Sequence, residues 1–357
     1  MTDREAMERA VQLAWRGWGR TGANPMVGAL VLRGGEVVGE GWHAEFGGKH
    51  AEVVALEQAG DRARGGDLVV TLEPCRHHGK TPPCIEAILT HGIRRVVFGV
   101  EDVDPRARGG ALHLRTAGVR VEHGLLADDV RRQNALFFHR YQAATRPFVA
   151  LKLAVSLDAR IADHRRKSQW ITGPPARDFV HWLRAGFDAI GAGVGTVKAD
   201  DPRLTPRGAV TPLKPPLRVV FDRRAETPPD ARVVKWARVE ATIVLAERAA
   251  PPAQVDALRR AGAEVMEADG LAAQLVALRT RGVNSLLVEG GGVLAGRLLG
   301  QDLVDRIFLL QAPMLLGRDG VPAFGELPAV DIDAVRRWKV SGRRVLGDDA
   351  LTVLDRS

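Results

Sequence analysis

One histidine, two cysteines and a glutamate, spread over three segments, constrain the folding of this chain more than any other feature. They are His50-Ala51-Glu52, Pro74-Cys75 and Cys84. One imidazole and two thiolates fill three corners of a zinc tetrahedron and leave the fourth open, with Glu52 free beside it. To share one ion, the segments that carry them must fold against each other. His50–Gln58 reads as a helix with Val53, Val54 and Leu56 turned inward. Asp67–Leu72 reads as a buried strand running into Glu73-Pro74, and Cys84–Thr90 as a second helix closed by His91-Gly92. Pro74 and Pro82-Pro83 suit helix or turn starts ahead of the two cysteines, and His50 opens its helix just after Gly47-Gly48. A helix start favours a thiolate. The competing reading, a disulfide, leaves His50 and Glu52 unexplained, and two cysteines in 357 residues make no disulfide framework.

The remaining pattern is that of two α/β domains. Residues 4–18 form an opening helix on the spacing of Met7, Ala10, Val11, Ala14 and Trp15. Val27–Leu32 and Val37–Val38 are strands about the turn Arg33-Gly34-Gly35, and Arg95–Val100 is a further strand. Alternating strands and helices predict a layered α/β domain. Near Ala143–Pro147 the pattern breaks, because Arg146-Pro147 ends the helix containing Phe137, Phe138 and Tyr141. The expected domains are residues 1–145 and 146–357. Strands of the second are Phe148–Val155, Ala189–Ala192, Leu217–Phe221, Thr242–Ala246, Ser285–Glu289 and Arg306–Ala312, with a Pro-rich loop at Thr205–Pro216.

Composition narrows the class of partner. The apolar runs are far too short for a membrane span, and MTDREAMERA has no apolar signal core, so a cytoplasmic protein with no membrane partner is expected. The net charge is +8, but the arginines are dispersed with no basic block or tail. That distribution argues against nucleic acid as the main partner and suits anionic small molecules.

The metal kit points to hydrolysis of an amino group. Glu52, two residues past His50, is placed to take a proton from water and return it to a leaving amine. Zinc deaminases of nucleobases carry such a non-ligand glutamate but separate their cysteines by two residues; here eight intervene. The inserted His77, His78, Lys80 and Thr81 read as a mouth for a polar, phosphorylated substrate. In the second half, Gly191-Ala192-Gly193-Val194-Gly195 and, better placed, Glu289-Gly290-Gly291-Gly292 before the helix Val293–Leu299 read as phosphate cradles. Neither is a Rossmann fingerprint.

The segment from Pro74-Cys75-Arg76-His77-His78 to Pro82-Pro83-Cys84 resembles the signature of the bifunctional riboflavin-biosynthesis deaminase/reductases. Asn24-Pro25-Met26-Val27-Gly28, Gly39-Glu40-Gly41-Trp42-His43 and His50-Ala51-Glu52 resemble it too. So do Leu151-Lys152-Leu153-Ala154, Ser156-Leu157-Asp158, Ser168-Gln169-Trp170-Ile171-Thr172, His181-Trp182-Leu183-Arg184, Gly193–Val197 and Asp200–Thr205. Val288-Glu289-Gly290-Gly291, Leu303-Val304-Asp305 and Ala312–Gly317 complete a resemblance over nearly the whole chain.

The resemblance implies an N-terminal cytidine-deaminase-like three-layer α/β domain and a C-terminal dihydrofolate-reductase-like domain. It implies zinc-dependent hydrolytic deamination of 2,5-diamino-6-(5-phosphoribosylamino)pyrimidin-4(3H)-one, then NADPH-dependent reduction of the ribosyl group to a ribityl chain. By the resemblance, one zinc per chain falls on His50, Cys75 and Cys84, proton transfer on Glu52, and the pyrimidine on Asn24 and His43. NADPH falls on Ala154, Trp170, Thr196, Asp200 and the stretch Gly291, Gly292, Val293, Leu294, Ala295, Gly296, Arg297. The reductase substrate falls on Ser168, Arg184, Leu204, Arg207 and Glu289. Lys152 and Asp158 are candidates to polarise or protonate the opening sugar. A small-molecule phosphorylated pyrimidine substrate and a homo-oligomer are expected. The family pattern has glycine at Ala159 and near Lys167, Ser or Thr at Arg223, and Asn at Asp104. Arg223 is suited to the 2′-phosphate of NADPH. The alternative is a tRNA or nucleobase deaminase with an inactive or regulatory C-terminal domain, to which the cysteine spacing and the second domain are ill suited.

Overall fold

The computed structural model describes every residue except Ala143 and Arg336. It divides into two compact units, Met1–Ala143 and Ala144–Ser357. No helix among the described residues is long and apolar enough to cross a membrane.

The N-terminal unit is a five-stranded sheet between helices. Its strands are β1 (Gly28–Arg33), β2 (Glu36–Trp42), β3 (Asp67–Leu72), β4 (Arg95–Val100) and β5 (Arg120–His123), in the order β2-β1-β3-β4-β5. The helices are α1 (Asp3–Ala14), α2 (Ala51–Ala59), α3 (Cys84–Thr90), α4 (Gly110–Thr116), α5 (Ala127–Gln133) and α6 (Ala135–Tyr141). Strand alternation divides the apolar side chains between the faces. Leu30, Leu32, Val69 and Val97 meet Ala6, Met7, Ala10 and Leu13 of α1. Val31, Leu68, Val70, Val96 and Phe98 meet Ala55, Leu56, Ile88 and Leu114 of α2, α3 and α4. This is the expected three-layer arrangement. Thr2 caps α1 through a capping box with Glu5, and the Arg33-Gly34-Gly35-Glu36 turn uses positive φ at both glycines.

Two glycines of β2 set the position of α2. A Cβ at Gly39 would lie 2.1 Å from Ala55 O, and one at Gly41 2.2 Å from Ala51 O. Only bare backbone lets the helix approach this closely, and the helix start carries His50 and Glu52.

The C-terminal unit is built on a nine-stranded sheet. In chain order its elements are β6 (Phe148–Val155), β7 (Arg160–Ala162), α7 (Pro174–Arg184), β8 (Ala189–Gly193), α8 (Val194–Asp200), β9 (Leu217–Phe221), α9 (Arg232–Lys235), β10 (Thr242–Ala246), α10 (Pro252–Arg260), β11 (Glu264–Glu267), α11 (Leu271–Thr280), β12 (Ser285–Glu289), α12 (Gly292–Gly300), β13 (Arg306–Gln311), β14 (Val321–Pro322), β15 (Trp338–Leu346) and β16 (Asp349–Arg356). The strand order is β11-β10-β9-β8-β12-β6-β13-β16-β15, with β7 and β14 pairing separately. The strands from β11 to β13 run parallel, and the β15–β16 hairpin adds antiparallel. Parallel strands covered on both faces read as continuous apolar runs. Val219, Phe221, Ile243 and Leu245 feed one core with α11 and α12, while Val220, Val244 and Ala246 feed another with α9 and α10.

Ala159, where the family pattern has glycine, adopts φ +55° in the turn between β6 and β7. A left-handed alanine costs about 1–2 kcal/mol, against the roughly 0.5–1 kcal/mol by which glycine's freedom favours the unfolded chain. Ala159→Gly is therefore expected to raise stability by about 0.5–1 kcal/mol, read as a higher urea midpoint at unchanged slope.

Candidate active sites

In the N-terminal unit, His50 is the N-cap of α2, Cys84 is the first residue of α3, and Cys75 lies in the loop after β3 rather than at a helix start. His50 Nδ1 is 3.1 Å from Cys84 Sγ and 3.5 Å from Cys75 Sγ, and the sulfurs are 3.5 Å apart. A disulfide requires about 2.05 Å, whereas the edges of a zinc tetrahedron with one nitrogen and two sulfur ligands are about 3.5–3.8 Å, close to the two 3.5 Å separations and somewhat longer than the 3.1 Å one. The donor set therefore fits zinc. The backbone N–H of Cys84, at the start of α3, donates to Cys75 Sγ at 3.4 Å. The hydrogen bond from Cys84, joined by His50 and opposed by burial, holds the Cys75 thiol down at about 4. The Cys84 thiol is pushed up by that same bond and by burial. A divalent ion bound here would take both sulfurs as thiolates. Cys84→Ala removes one thiolate from the set, and bound zinc is expected to fall well below one per chain by elemental analysis.

Glu52 follows in the first turn of α2 and is 4% exposed. Burial raises its carboxyl above the ordinary range, against the favourable charge of His50. Asn24 and His43 meet beside this cluster: Asn24 Nδ2 is 3.1 Å from His43 Nε2, and His43 Nδ1 is 3.1 Å from Lys49 O. A carbonyl only accepts, so Nδ1 carries the proton and Nε2 accepts from Asn24. The buried His43 ring stands edge-on to His50 at 5.3 Å, and burial keeps it neutral. Both its nitrogens are occupied within the chain.

The inserted loop is polar and exposed, with His78 beside Glu86 (3.3 Å) and the Lys80 ammonium over the Phe46 ring (4.4 Å). Asp104 is engaged by Arg106 and by the Tyr141 hydroxyl (2.8 Å). Sequence reading missed two buried acids here. Glu73 accepts from the backbone N–H groups of Asp102, Gly109 and Ala111, tying the segment before Cys75 to the loop after β4. Asp102 is 9% exposed, and burial lifts its carboxyl to about 7. The acid-rich Glu101–Asp104 run at the end of a buried strand was the available signal.

In the C-terminal unit a cavity of about 1510 Å³ opens at the carboxyl ends of β6, β8, β9 and β12. This is where open parallel sheets bind ligands. Ala154, Ser168, Trp170, Arg184, Thr196, Asp200, Leu204, Arg207, Glu289, Gly291–Leu294 and Arg297 all line it. Ala295 and Gly296 do not. Ala295 is fully buried in the core, and Gly296 is needed because a Cβ there would lie 1.8 Å from Gly325 O.

Lys152 and Arg184 converge on Glu289. Lys152 Nζ is 2.9 Å from Oε2, and the Arg184 guanidinium grips both carboxylate oxygens at 2.5 and 2.9 Å. Burial works to raise the Glu289 carboxyl, but the charges of Arg184 and Lys152 prevail and hold it well below the carboxylate range. Ser168 Oγ donates to Asp200 at 2.9 Å. Trp170 is 66% exposed and carries the Arg177 guanidinium on its face at 4.7 Å. Arg203, Arg207 and Arg232 line the same cavity and have no carboxylate partner among the described residues.

Asp158 is placed differently from its expected role. It lies outside the cavity lining and accepts from Ser156 Oγ, Leu316 N and Gly317 N. These bonds hold it at about 2, so it is a turn anchor and not a proton donor. Lys167 also lies outside the lining, its backbone N–H bound to Asp163. Arg223 is on the rim and pairs with Glu247 at 3.2 Å.

The NADPH requirement is met on backbone grounds. Gly290 and Gly291 have φ +79° and +56°, and a Cβ at Gly291 would be 3.1 Å from Thr196 Oγ1. Gly195 faces open space. A diphosphate can therefore approach the backbone at Gly195, while the Thr196 side chain packs against Gly290 and Gly291.

Comparison with known proteins follows the same division. Residues 1–100 match the family model of the cytidine and deoxycytidylate deaminase zinc-binding region, and residues 147–352 that of the RibD C-terminal domain. The class is thus a zinc-dependent deaminase joined to a reductase. The RibD proteins of Escherichia coli (38% identity; 89% of this chain, 90% of theirs) and Aquifex aeolicus (38%; 99% and 98%) are similar along nearly their full lengths. So is the structure of Acinetobacter baumannii RibD (TM-score 0.82, 33% identity, 99% of both chains). The Thermotoga maritima diaminohydroxyphosphoribosylaminopyrimidine deaminase/5-amino-6-(5-phosphoribosylamino)uracil reductase matches with TM-score 0.82 and 35% identity over 99% of both chains. The chain belongs to the RibD family of bifunctional deaminase/reductases of riboflavin biosynthesis, which use zinc and NADPH.

Proposed function

We propose that the N-terminal unit removes the 2-amino group of 2,5-diamino-6-(5-phosphoribosylamino)pyrimidin-4(3H)-one as ammonia. The C-terminal unit then reduces the ribosyl group of the product to a ribityl chain. The observation that carries this reading is the convergence of His50, Cys75 and Cys84 within 3.5 Å beside a buried, non-ligand Glu52. The alternative of a nucleic-acid deaminase with a silent second domain is not favoured, because the whole chain follows the RibD pattern.

Zinc held by His50, Cys75 and Cys84 would supply Lewis acidity, and NADPH would supply hydride. Glu52 is placed to take a proton from the attacking water and pass it to the leaving amine. Its raised affinity for the proton suits both transfers. Asn24 and His43, hydrogen-bonded to each other beside His50, help hold the pyrimidine. In the second unit Lys152, held by Glu289 in the cavity wall, donates to the opening sugar. Arg207, with no carboxylate partner among the described residues, takes the phosphate. Trp170, Thr196 and the Gly290–Gly292 turn receive the nucleotide. The two free cysteines agree with a reducing, cytoplasmic setting.

The test is to supply the diaminopyrimidine phosphate with and without NADPH, following ammonia and NADPH oxidation separately. Ammonia release should not need NADPH, and NADPH oxidation should follow deamination. Arg207→Ala should raise KM for the pyrimidine phosphate and leave the Kd of NADPH nearly unchanged. Equal losses would move Arg207 out of the phosphate site.

A further inference from the structure

His181 stands one turn before Arg184 on α7 and lines the reductase cavity. Its Nδ1 is 3.4 Å from Arg184 Nη1. A guanidinium only donates, so Nδ1 is the acceptor and the ring proton sits on Nε2. No described residue accepts from Nε2. The charged groups acting on the ring are Arg184 and Asp178 on α7, Arg207 from the loop after α8, and Glu289 at the end of β12. Burial, then Arg184 and Arg207, hold the imidazolium down at about 4, with Glu289 and Asp178 opposing. The ring is therefore neutral throughout the physiological range.

A neutral donor is what this corner can accommodate. Arg184 is committed to Glu289, and Arg207 already lies in the field of Arg184, Arg203 and Arg232. Another cation would add repulsion, whereas a neutral N–H adds a hydrogen bond and no charge. We infer that His181 is a substrate-binding residue of the reductase cavity, donating its Nε2–H to the ribosyl phosphate beside Arg207. The inference rests on the assignment of that phosphate to Arg207 in the preceding subsection. It adds a discriminating contact, since a neutral donor bonds strongly to a phosphate oxygen and weakly to an uncharged hydroxyl.

The experiment is calorimetric titration of full-length, zinc-loaded protein with ribose 5-phosphate, using wild type, His181→Leu, His181→Gln and Arg207→Ala. His181→Leu should weaken binding by about 10–100-fold. His181→Gln, which restores an amide donor, should stay within a few-fold of wild type. The ratio of wild-type to His181→Leu affinity should be flat between about pH 5.5 and 8, because the donor carries no charge. Three results would overturn the inference: equal weakening by Leu and Gln, a ratio that climbs as pH falls, or wild-type affinity in His181→Leu. If that last result accompanies weakened binding by Arg207→Ala, the phosphate site stands and only the role of His181 is lost. If neither variant changes binding, or wild type does not bind, both assignments fall.

Discussion

Glu52→Gln is expected to lower ammonia release by about 10²–10⁴-fold while zinc content stays at that of wild type. The substitution keeps the shape of the side chain and leaves His50, Cys75 and Cys84 untouched, so it removes proton transfer and nothing from the metal's grip. The same change relieves the cost of a carboxylate that is 4% exposed. The variant is therefore expected to be as stable as wild type or more so, a trade that catalytic residues commonly show. Ammonia assay, elemental analysis and a melting curve on one preparation separate the three effects. Near wild-type turnover would take Glu52 out of the mechanism; loss of zinc would make it a structural residue.

The second large effect is expected from Glu289→Gln. Glu289 is 6% exposed and neutralises Arg184 and Lys152, whose side chains are also largely buried. Removing one member of such a cluster leaves uncompensated charge and costs about 3–5 kcal/mol. A loss of this size in a unit of 150–250 residues lowers its melting transition by roughly 6–20 °C. NADPH oxidation should fall with it, because Lys152 and Arg184 lose their anchor, while ammonia release is unaffected. The pH dependence has a definite sign. The folded carboxyl lies below its unfolded value, so the stabilisation is complete above about pH 4.3 and declines as pH falls below that. In Glu289→Gln that acid-side loss should be smaller. A variant with unchanged melting and unchanged acid sensitivity would show that the cluster contributes no net stability.

Much of this was readable from local pattern. Asp67–Leu72, Cys84–Thr90, Arg95–Val100, Phe148–Val155, Leu217–Phe221, Thr242–Ala246 and Ser285–Glu289 form the elements their apolar runs predict. The C-terminal hairpin was missed, although Gly347-Asp348 between two β-rich runs is a two-residue turn signal. Its strands are amphipathic only weakly, with many exposed positions on β15. The region around Asp158 misled for a different reason. An aspartate near a cofactor motif looks catalytic in a string of letters, but three donors from a turn had already claimed it.

The amino-acid order alone determined the ligand chemistry: one imidazole, two thiols and a spare carboxylate, followed by a glycine-rich strand end, because residue type sets donor type wherever the chain goes. The folded molecule decided which groups touch. Gly39 and Gly41 admit α2 to the sheet, a long-range approach that brings position 50 to positions 75 and 84. Burial and neighbouring charge then set His43 and His181 neutral and Glu289 ionised. Those states depend on distances between residues far apart in sequence, and such distances exist only once the layers have packed.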